Sequence, residues 1–360
     1  MDDLISGLGA TIDAVLQPIV PSGKPCALVG FPNHTNVGDS AIWLGERNYL
    51  GRQGMSVVYA CDTKMYSQEQ LRAQLKDGII LLHGGGNLGD LWPDHQRLRE
   101  NVIKAFPGKT IVQLPQTIHF KERASLARAK AVFDRHPDLT ILVRDQRSLE
   151  LARNEFRTPS LLCPDMALTL GMLERPNSPK QDILCLLRTD AESSGYASGS
   201  SLPDGYAADW LEEEDSTRLR FQRRFQGWLS MQRCRHPRLW RGSCPLTSRI
   251  LLHLWDGIAS ERLSRGCRLL SKARIVITDR LHGHLLCLLL GIPHVVLDNS
   301  YGKVRSFFET WTRDCELAVW ADSPQEAFGK AEALLEDWNN QRIASPAPHE
   351  TGESASNAVF

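Results

Sequence analysis

The sequence has no excess of either charge, because 42 Lys and Arg residues balance 42 Asp and Glu residues. The global positive field that attracts nucleic acid is therefore missing, and we expect no nucleic-acid partner. No uncharged apolar run approaches the roughly 20 residues that cross a bilayer. The longest run, 285–297, fits a buried helix, a turn and a strand. Because the acidic N-terminus also lacks the basic region of a secretory signal, we predict a cytoplasmic protein.

Cysteine pairs and nucleotide-binding glycine patterns are also missing. Nine cysteines are scattered singly, with none in C-x-x-C spacing, and their number is odd. This usage fits neither a disulfide framework nor a zinc site, so we expect reduced thiols and no metal. The sequence contains neither G-x-G-x-x-G nor the P-loop pattern. A nicotinamide oxidoreductase is therefore disfavoured, and no cofactor is expected.

Short apolar segments alternate with helical patterns along the chain. Strands are predicted at 24–32, 56–62 and 110–120, and helices at 40–54 and 67–78. Apolar strands separated by helices indicate a parallel sheet that is covered on both faces. The predicted fold class is therefore α/β.

A change in composition around residues 168–182, where prolines interrupt the alternation, is the best candidate for a domain boundary. We predict two Rossmann-like lobes that face a cleft, residues 1–175 and 176–345. The segment 193–247 is expected to be irregular, and the tail 346–360 disordered. Ligands of open parallel sheets bind beyond the carboxyl ends of the strands, where the polar clusters described next all lie.

The loop after the first predicted strand is rich in hydrogen-bonding side chains. The candidate binding residues there are Asn33, His34, Asn36, Gly38 and Asp39, followed by a helix that either Asp39 or Ser40 would cap. Asp39 would repel a phosphate, so this loop is better suited to hydroxyl groups, with Asp39 as hydrogen-bond acceptor or general base. A capped turn that faces water is an equally good interpretation.

Three further strand ends in the first half carry candidate residues. The sequence "LLHGGGNLGD" follows an apolar strand with three glycines, which allow a ligand to approach the backbone closely. Asn87 and Asp90 are expected at the head of the next helix. A tight turn without a ligand is the alternative. Gln116 and Arg144 follow the next two strands, and each alone suits a cap or an ion pair. The candidates from these segments are Gly85, Gly86, Asn87, Asp90, Gln116 and Arg144.

The second half concentrates cations at its strand ends. Asp279, Arg280, His282 and His284 fall within six residues, where one strand ends and an apolar helix begins. Burying these groups unpaired costs several kcal/mol, whereas an anion at the helix N-terminus would remove that cost. Together with Arg188 and Lys303, the segment would suit a small trianion such as a phosphorylated carboxylate.

The segment 218–241 contains eight arginines and no acid, with interleaved Phe221, Phe225, Trp228 and Trp240. Such a stretch suits anionic lipid, lipid-linked phosphate or nucleic acid. The acidic run "EEED" at 212–215 can neutralise it, which favours a solvated helix over a peripheral membrane contact.

Taken in order, "NHTNVGDSAIW", "LHGGGNLGD", "LPQTIHF", "VRDQRSLELA", "CPDMAL", "LLRTDAE" and "TDRLHGHLLCLLLGIPHVVLDNSYGK" resemble the polysaccharide pyruvyl transferase family, closest to its bacterial exopolysaccharide members. The resemblance implies a GT-B-like fold with phosphoenolpyruvate as donor. It also implies a hexose of an exopolysaccharide, or of its lipid-linked precursor, as acceptor and a cyclic pyruvate ketal as product. It assigns donor contacts to Arg280 and His282, and on a shorter stretch of the pattern to Arg188.

On this basis the first lobe is the acceptor side and the second lobe the donor side. The expected donor-binding residues are Arg188, Arg280, Leu281, His282 and Lys303. We expect His282 to protonate the donor, Arg280 to stabilise the departing phosphate, and Asp39, with His34 behind it, to act as general base. A GT-B glycosyltransferase that uses a nucleotide sugar is the main rival, and a non-catalytic glycan-binding subunit is a third reading. The protein is expected in the cytoplasm, with a peripheral contact at the inner face of the membrane as the alternative.

Overall fold

Every strand pairing in the computed structural model is parallel. The structure describes residues 2–196, 207–211, 217–235 and 245–344. These residues form a seven-stranded and a five-stranded sheet, with helices between the strands, so the predicted α/β class is confirmed.

The first sheet has the order β2-β1-β3-β5-β6-β7, with β4 paired to β5. Its strands are β1 (Cys26–Val29), β2 (Val57–Cys61), β3 (Ile79–Leu82), β4 (Gly85–Gly89), β5 (Ile111–His119), β6 (Leu139–Val143) and β7 (Ser160–Leu162). The accompanying helices are α1 (Asp2–Leu16), α2 (Val37–Arg52), α3 (Gln68–Gln74), α4 (Pro93–Ala105), α5 (Arg123–Phe133) and α6 (Gln146–Glu155), followed by a 3₁₀ turn at Met166–Leu170. All residues of β1 and β3 are buried, as expected for strands covered on both faces.

The second sheet has the order β12-β11-β10-β8-β9. Its strands are β8 (Gln181–Leu186), β9 (Ala207–Ala208), β10 (Ala273–Thr278), β11 (His294–Val296) and β12 (Ala318–Trp320). The helices are α7 (Thr217–Arg235), α8 (Pro245–Leu270), α9 (Leu281–Leu289), α10 (Lys303–Phe307) and α11 (Pro324–Ala344), with a π turn at Phe308–Thr312. None of the helices in the described ranges is long and apolar enough to cross a membrane.

Helix α8 joins the two halves of the chain. It packs on α2, where Trp43 Nε1 donates to Asp256 Oδ1 at 2.8 Å and Arg47 Nε donates to the same carboxylate at 3.2 Å. Phe31 stacks on Trp255 with ring centroids 4.9 Å apart. A helix from the second predicted lobe is thus part of the core beside the first sheet. The division at residue 175 stays a prediction.

Two local expectations were wrong. Helix α2 begins at Val37 and is capped by Asn36, whose side chain accepts from the Gly38 N–H, rather than by Asp39 or Ser40. The glycine segment continues as strand β4, so Asn87 and Asp90 precede α4 by several residues instead of opening it. The helix favoured within 218–241 is present as part of α7. The predicted tail, 346–360, lies outside the described residues.

Candidate active site

A cavity of about 420 Å³ lies where strand ends of the two sheets come together. Its size is within the roughly 300–1,000 Å³ typical of small-molecule sites. Eleven of the predicted site residues line it: His34, Asn36, Asp39, Gly86, Asn87 and Arg144 from the first half, and Arg188, Arg280, Leu281, His282 and Lys303 from the second. The clustering of polar strand-end residues, expected from sequence, is therefore present in the structure.

The other five predicted residues lie outside the cavity lining. Asn33 donates to Asp62 Oδ2 at 2.9 Å. Asp90 accepts from the Lys121 and Glu122 N–H groups at the start of α5. The amide of Gln116 bridges His83 O and Asn87 Oδ1. These three side chains support the loops that form the cavity. Gly85 and Gly38 support two of its side chains, since Gly85 lies against Asp39 and Gly38 against His282.

The cations that line the cavity are paired, whereas the sequence suggested a free positive cluster. Arg188 contacts Asp190 at 2.8 Å and Glu192 at 3.1 Å. Arg280 Nη2 contacts Asp209 at 2.6 Å, and Lys303 is bonded to Glu192. Buried cations need such partners, because an isolated buried charge is very costly. The carboxylates hold the cations in place and leave the lining close to neutral.

Two buried nitrogen atoms in this cluster have no hydrogen-bond partner among the described residues: Arg280 Nε and His282 Nε2. Arg280 is 1 % exposed and His282 is 8 % exposed, and both line the cavity. An unpaired buried donor or acceptor costs about 1–3 kcal/mol. These two atoms are therefore the most direct structural indication that a polar ligand completes the site.

The pKa of the Lys303 ammonium group is lowered in this cluster. Burial, together with the guanidinium groups of Arg188 and Arg144, lowers its pKa to about 8, although Glu192 acts in the opposite direction. Asp279 lies behind the same cluster, where its carboxylate accepts from the Arg188 N–H at 2.8 Å. Burial raises the pKa of Asp279 to about 6. An incoming anion would favour the protonated form of Lys303.

His282 lies beside Asp165, a residue of the first half of the chain. Its Nε2 lies 3.4 Å from Asp165 Oδ2, a contact that is electrostatic rather than a hydrogen bond. Asp165 also pairs with Arg144 at 2.6 Å. Burial raises the pKa of Asp165, but His282 and Arg144 outweigh it and hold that pKa well below its usual range. Asp165 is therefore an ionised carboxylate beside His282.

Gly38 lets the first half approach the imidazole. A Cβ at residue 38 would lie 2.4 Å from His282 Nδ1 and 2.7 Å from His282 Cβ, closer than real side chains allow. We expect Gly38→Ala to displace the His282 ring and to lower enzymatic turnover by about 100-fold, since a displacement of roughly 1 Å costs that much.

The matched control is Gly51→Ala in the same helix, because no atom lies within 4 Å of a Cβ at that position. Kinetic assays of both purified variants, with circular dichroism to verify folding, make the comparison. Equal turnover in the two variants would contradict the positioning role of Gly38.

The opposite wall of the cavity contains His34, Asn36 and Asp39. Asn36 Nδ2 donates to Asp39 Oδ2 at 2.8 Å, and His34 Nε2 lies 3.7 Å from the same oxygen. Loss of hydration raises the pKa of Asp39, but His34 and the other nearby imidazoles outweigh it and leave that pKa below its usual value. Loss of hydration in the cleft lowers the pKa of His34. At neutral pH this wall therefore offers a carboxylate beside a neutral imidazole, two proton acceptors.

The second imidazole of the segment 279–284 has a structural role. His284 is fully buried, with Nδ1 2.7 Å from His294 Nε2 and Nε2 2.9 Å from Thr312 Oγ1. Burial lowers its pKa well below the usual value, so it is neutral. His282 faces the cavity, whereas His284 belongs to the core.

Sequence reasoning did not select several residues of the site. Acidic partners and rim residues make up most of them: Asp165, Asp190, Glu192, Asp209, Trp92, His95, Trp210 and Leu211. Asp165, Asp190 and Glu192 carried a signal, because each follows a strand as the chosen residues do. Asp209 and Trp210 carried none, because they lie in a segment with no clear pattern.

Buried cations paired with carboxylates and hydrogen-bonding side chains meet in one cavity at the carboxyl ends of parallel strands, which is typical of an α/β enzyme. Comparison with known proteins identifies the family of the chain. The profile described as "Polysaccharide pyruvyl transferase" matches residues 36–301. The chain belongs to the polysaccharide pyruvyl transferase family, and is a transferase of pyruvyl groups.

Individual relatives support the assignment. Pyruvyl transferase 1 of Schizosaccharomyces pombe is 35 % identical over 331 residues, which cover 88 % of this chain and 76 % of the relative. The Bacillus subtilis protein EpsO is 29 % identical over 300 residues, covering 82 % and 88 %. The crystal structure of an uncharacterised Klebsiella pneumoniae protein aligns with TM-score 0.54 at 17 % identity, covering 88 % of this chain and 99 % of that one, and supports the fold alone.

Proposed function

We propose that the protein transfers the enolpyruvyl group of phosphoenolpyruvate to two hydroxyls of one hexose, forming a cyclic pyruvate ketal and releasing phosphate. The hexose belongs to an exopolysaccharide or to its lipid-linked precursor. The observation that carries the proposal is the pair of buried nitrogens without a hydrogen-bond partner, Arg280 Nε and His282 Nε2, in one cavity with Arg188 and Lys303. The family supports pyruvyl transfer to a polysaccharide.

The donor side of the cavity offers fixed cationic hydrogen-bond donors to the phosphate and carboxylate of phosphoenolpyruvate. Arg188, Arg280 and Lys303 supply three cations, and charge-assisted hydrogen bonds to such groups are the strong ones. Their carboxylate partners position them and are replaced, or joined, by the phosphate and carboxylate of the donor. Leu281 supplies an apolar surface beside them.

The proposed reaction begins with a proton from His282 to the methylene carbon of the donor, which becomes a methyl group. The adjacent carbon then carries positive charge and is attacked by one sugar hydroxyl, whose proton passes to Asp39 or His34. In the second step the bond from that carbon to the phosphate oxygen breaks, and the second hydroxyl closes the ring. One of the two hydroxyl protons restores His282, and the other leaves with phosphate.

The acceptor side has the groups that this sequence requires. His34, Asn36, Asp39 and Asn87 line the wall opposite the cations and offer both donors and acceptors for sugar hydroxyls. Asp39 remains the first candidate for the general base, with His34 next, because the two lie 3.7 Å apart and one proton can be shared between them. Metal ions and cofactors are not required by this scheme.

The same arrangement supports the finer fold assignment, a GT-B-like pair of lobes. Residues after β1 and β6 and residues after β8 and β10 line one cavity, as expected for two lobes that face a cleft. GT-B enzymes that use nucleotide sugars are the nearest rivals. The family match already sets aside a non-catalytic glycan-binding subunit. A cytoplasmic location stays part of the proposal.

Thermal stability in the presence of ligands distinguishes a pyruvyl transferase that uses phosphoenolpyruvate from a glycosyltransferase that uses a nucleotide sugar. Phosphoenolpyruvate at about 100 times its Kd should stabilise the fold by about 2.7 kcal/mol, which is a rise of several degrees in Tm. Uridine and guanosine diphosphate sugars at the same concentration should leave Tm unchanged. The reverse result, stabilisation by a nucleotide sugar alone, would favour the glycosyltransferase.

A further inference from the structure

Helix α7 is fixed to the protein along one side. Leu219, Gln226 and Leu229 are buried, and the helix packs on α8. The side chain of Gln222 lies against Gly257 of α8, so closely that a Cβ there would come within 2.6 Å of its amide nitrogen. Because one face of α7 is buried against α8, the other face must point to solvent.

The opposite face presents large apolar side chains to solvent. Phe221 is 67 % exposed, Trp228 51 % and Met231 45 %. The spacing of Phe221, Phe225, Trp228 and Met231 follows the i, i+4, i+7, i+10 pattern of a single helix face. The rings of Phe221 and Phe225 are 6.1 Å apart, those of Phe225 and Trp228 5.9 Å, and both pairs are nearly parallel. Phe221 and Trp228 are thus exposed on either side of the half-buried Phe225, an arrangement unlike a solvated helix face.

The charge on α7 has one sign. Its sequence contains six arginines and neither Asp nor Glu. Arg220, Arg223 and Arg224 are exposed. Arg224 lies three residues after Phe221 and four before Trp228, which places it on the aromatic face. Exposed aromatic side chains with arginines among them are typical of a helix that binds a surface that is apolar inside and anionic outside.

We propose that the exposed face of α7, formed by Phe221, Phe225, Trp228 and Met231 with the neighbouring arginines, docks on an anionic lipid membrane. A second copy of the chain is a poorer partner, because two-fold pairing of this face would bring the arginines of both copies together. Nucleic acid is a poorer partner too, because the chain as a whole carries no net charge. The proposal does not depend on the proposed reaction.

Docking through α7 would also hold the active site relative to the membrane. Helix α7 packs on α8, and Arg262 of α8 donates to Pro32 O at 3.2 Å. Arg265 donates to Thr35 O and Trp210 O, each at 2.7 Å. Thr35 and Trp210 both line the cavity. A lipid-linked acceptor would then be met by a cavity whose position above the lipid surface is fixed.

Co-sedimentation with vesicles tests the proposal, using the full chain and two vesicle types, pure phosphatidylcholine and phosphatidylcholine mixed with phosphatidylglycerol. The protein should sediment with the anionic vesicles at low salt, and the bound fraction should fall as salt rises. The triple variant Arg220→Gln/Arg223→Gln/Arg224→Gln should bind on the order of a hundredfold more weakly, about fivefold for each arginine. Phe221→Ser/Trp228→Ser should also lose binding.

The matched control is Leu161→Ser/Met172→Ser, which removes two apolar side chains that are 39 % and 41 % exposed but lie elsewhere. It should bind like the wild type. Circular dichroism verifies that each variant folds. If the aromatic variant does not fold, the result for the arginine variant alone tests the proposal. Absence of binding to anionic vesicles, or binding that both α7 variants retain, would overturn the proposal. So would a wild-type dimer in analytical ultracentrifugation that the α7 variants abolish.

Discussion

Replacing His282 with Gln is expected to lower the rate of pyruvyl transfer by 10²–10⁴-fold, roughly the contribution of a positioned general acid. The effect should fall on kcat, because glutamine fills the space but cannot transfer a proton. The imidazole lies in the cavity beside the ionised Asp165 and against Gly38, so few other groups can take over its task.

His253→Gln is the matched control, because His253 is exposed on α8 and takes no part in the cavity. Steady-state kinetics with saturating phosphoenolpyruvate compare the two variants. A His282→Gln enzyme within threefold of wild-type kcat would remove the histidine from the chemistry and leave it a packing residue.

Replacing Arg280 with Gln is expected to weaken phosphoenolpyruvate binding by 100-fold or more. Loss of one charge-assisted hydrogen bond costs about 1.5–3 kcal/mol, and a second effect adds to it. Asp209, bonded to Arg280 at 2.6 Å, and Asp190 at 3.8 Å would lose a positive neighbour and repel the donor. The change should appear in KM and as loss of the stabilisation that phosphoenolpyruvate confers.

Arg305→Gln is the control for charge. Arg305 belongs to the same half of the chain and pairs with Asp322, but its side chain is 46 % exposed and lies outside the cavity. Exposed pairs of this kind contribute about 0–1 kcal/mol, so donor binding should not change. Equal KM values for the two variants would show that Arg280 serves only to neutralise its carboxylates.

The sequence predicted which strand ends meet but not how their side chains pair. Apolar strands between helices were enough to predict the α/β class and to bring Asp39, Arg144 and Arg280 to one place. Their acidic partners depend on the tertiary structure. Asp165 is far from His282 in the chain, and no local pattern joins them.

Helix and loop geometry decide two local points that the sequence left open. His282 and His284 are two residues apart on α9 and therefore point to opposite sides, so only one of them can face the cavity. Asp90 looks like a ligand-binding residue in a glycine-rich segment, but its carboxylate accepts from backbone N–H groups at the start of α5, a distant element. Sequence alone cannot distinguish such a structural role from substrate binding.

The exposed surface of α7 shows the same limit. Arginines and aromatics in the segment 218–241 were visible in the sequence, and the nearby acids favoured a solvated helix. The structure shows that Leu219 and Leu229 take the buried face, which leaves Phe221 and Trp228 on the outside. The choice between a solvated helix and a membrane contact depends on which aromatic residues are buried. Composition does not contain that information.

The most direct test of the proposed reaction is NMR of the product formed from phosphoenolpyruvate and an acceptor glycan in deuterated water. Protonation of the methylene carbon by an enzyme acid predicts a ketal whose methyl group carries one deuterium, together with inorganic phosphate in equal amount. An enolpyruvyl ether that retains its double bond would contradict the proposed mechanism. Transfer of a sugar from a nucleotide, with no use of phosphoenolpyruvate, would contradict the proposed function itself.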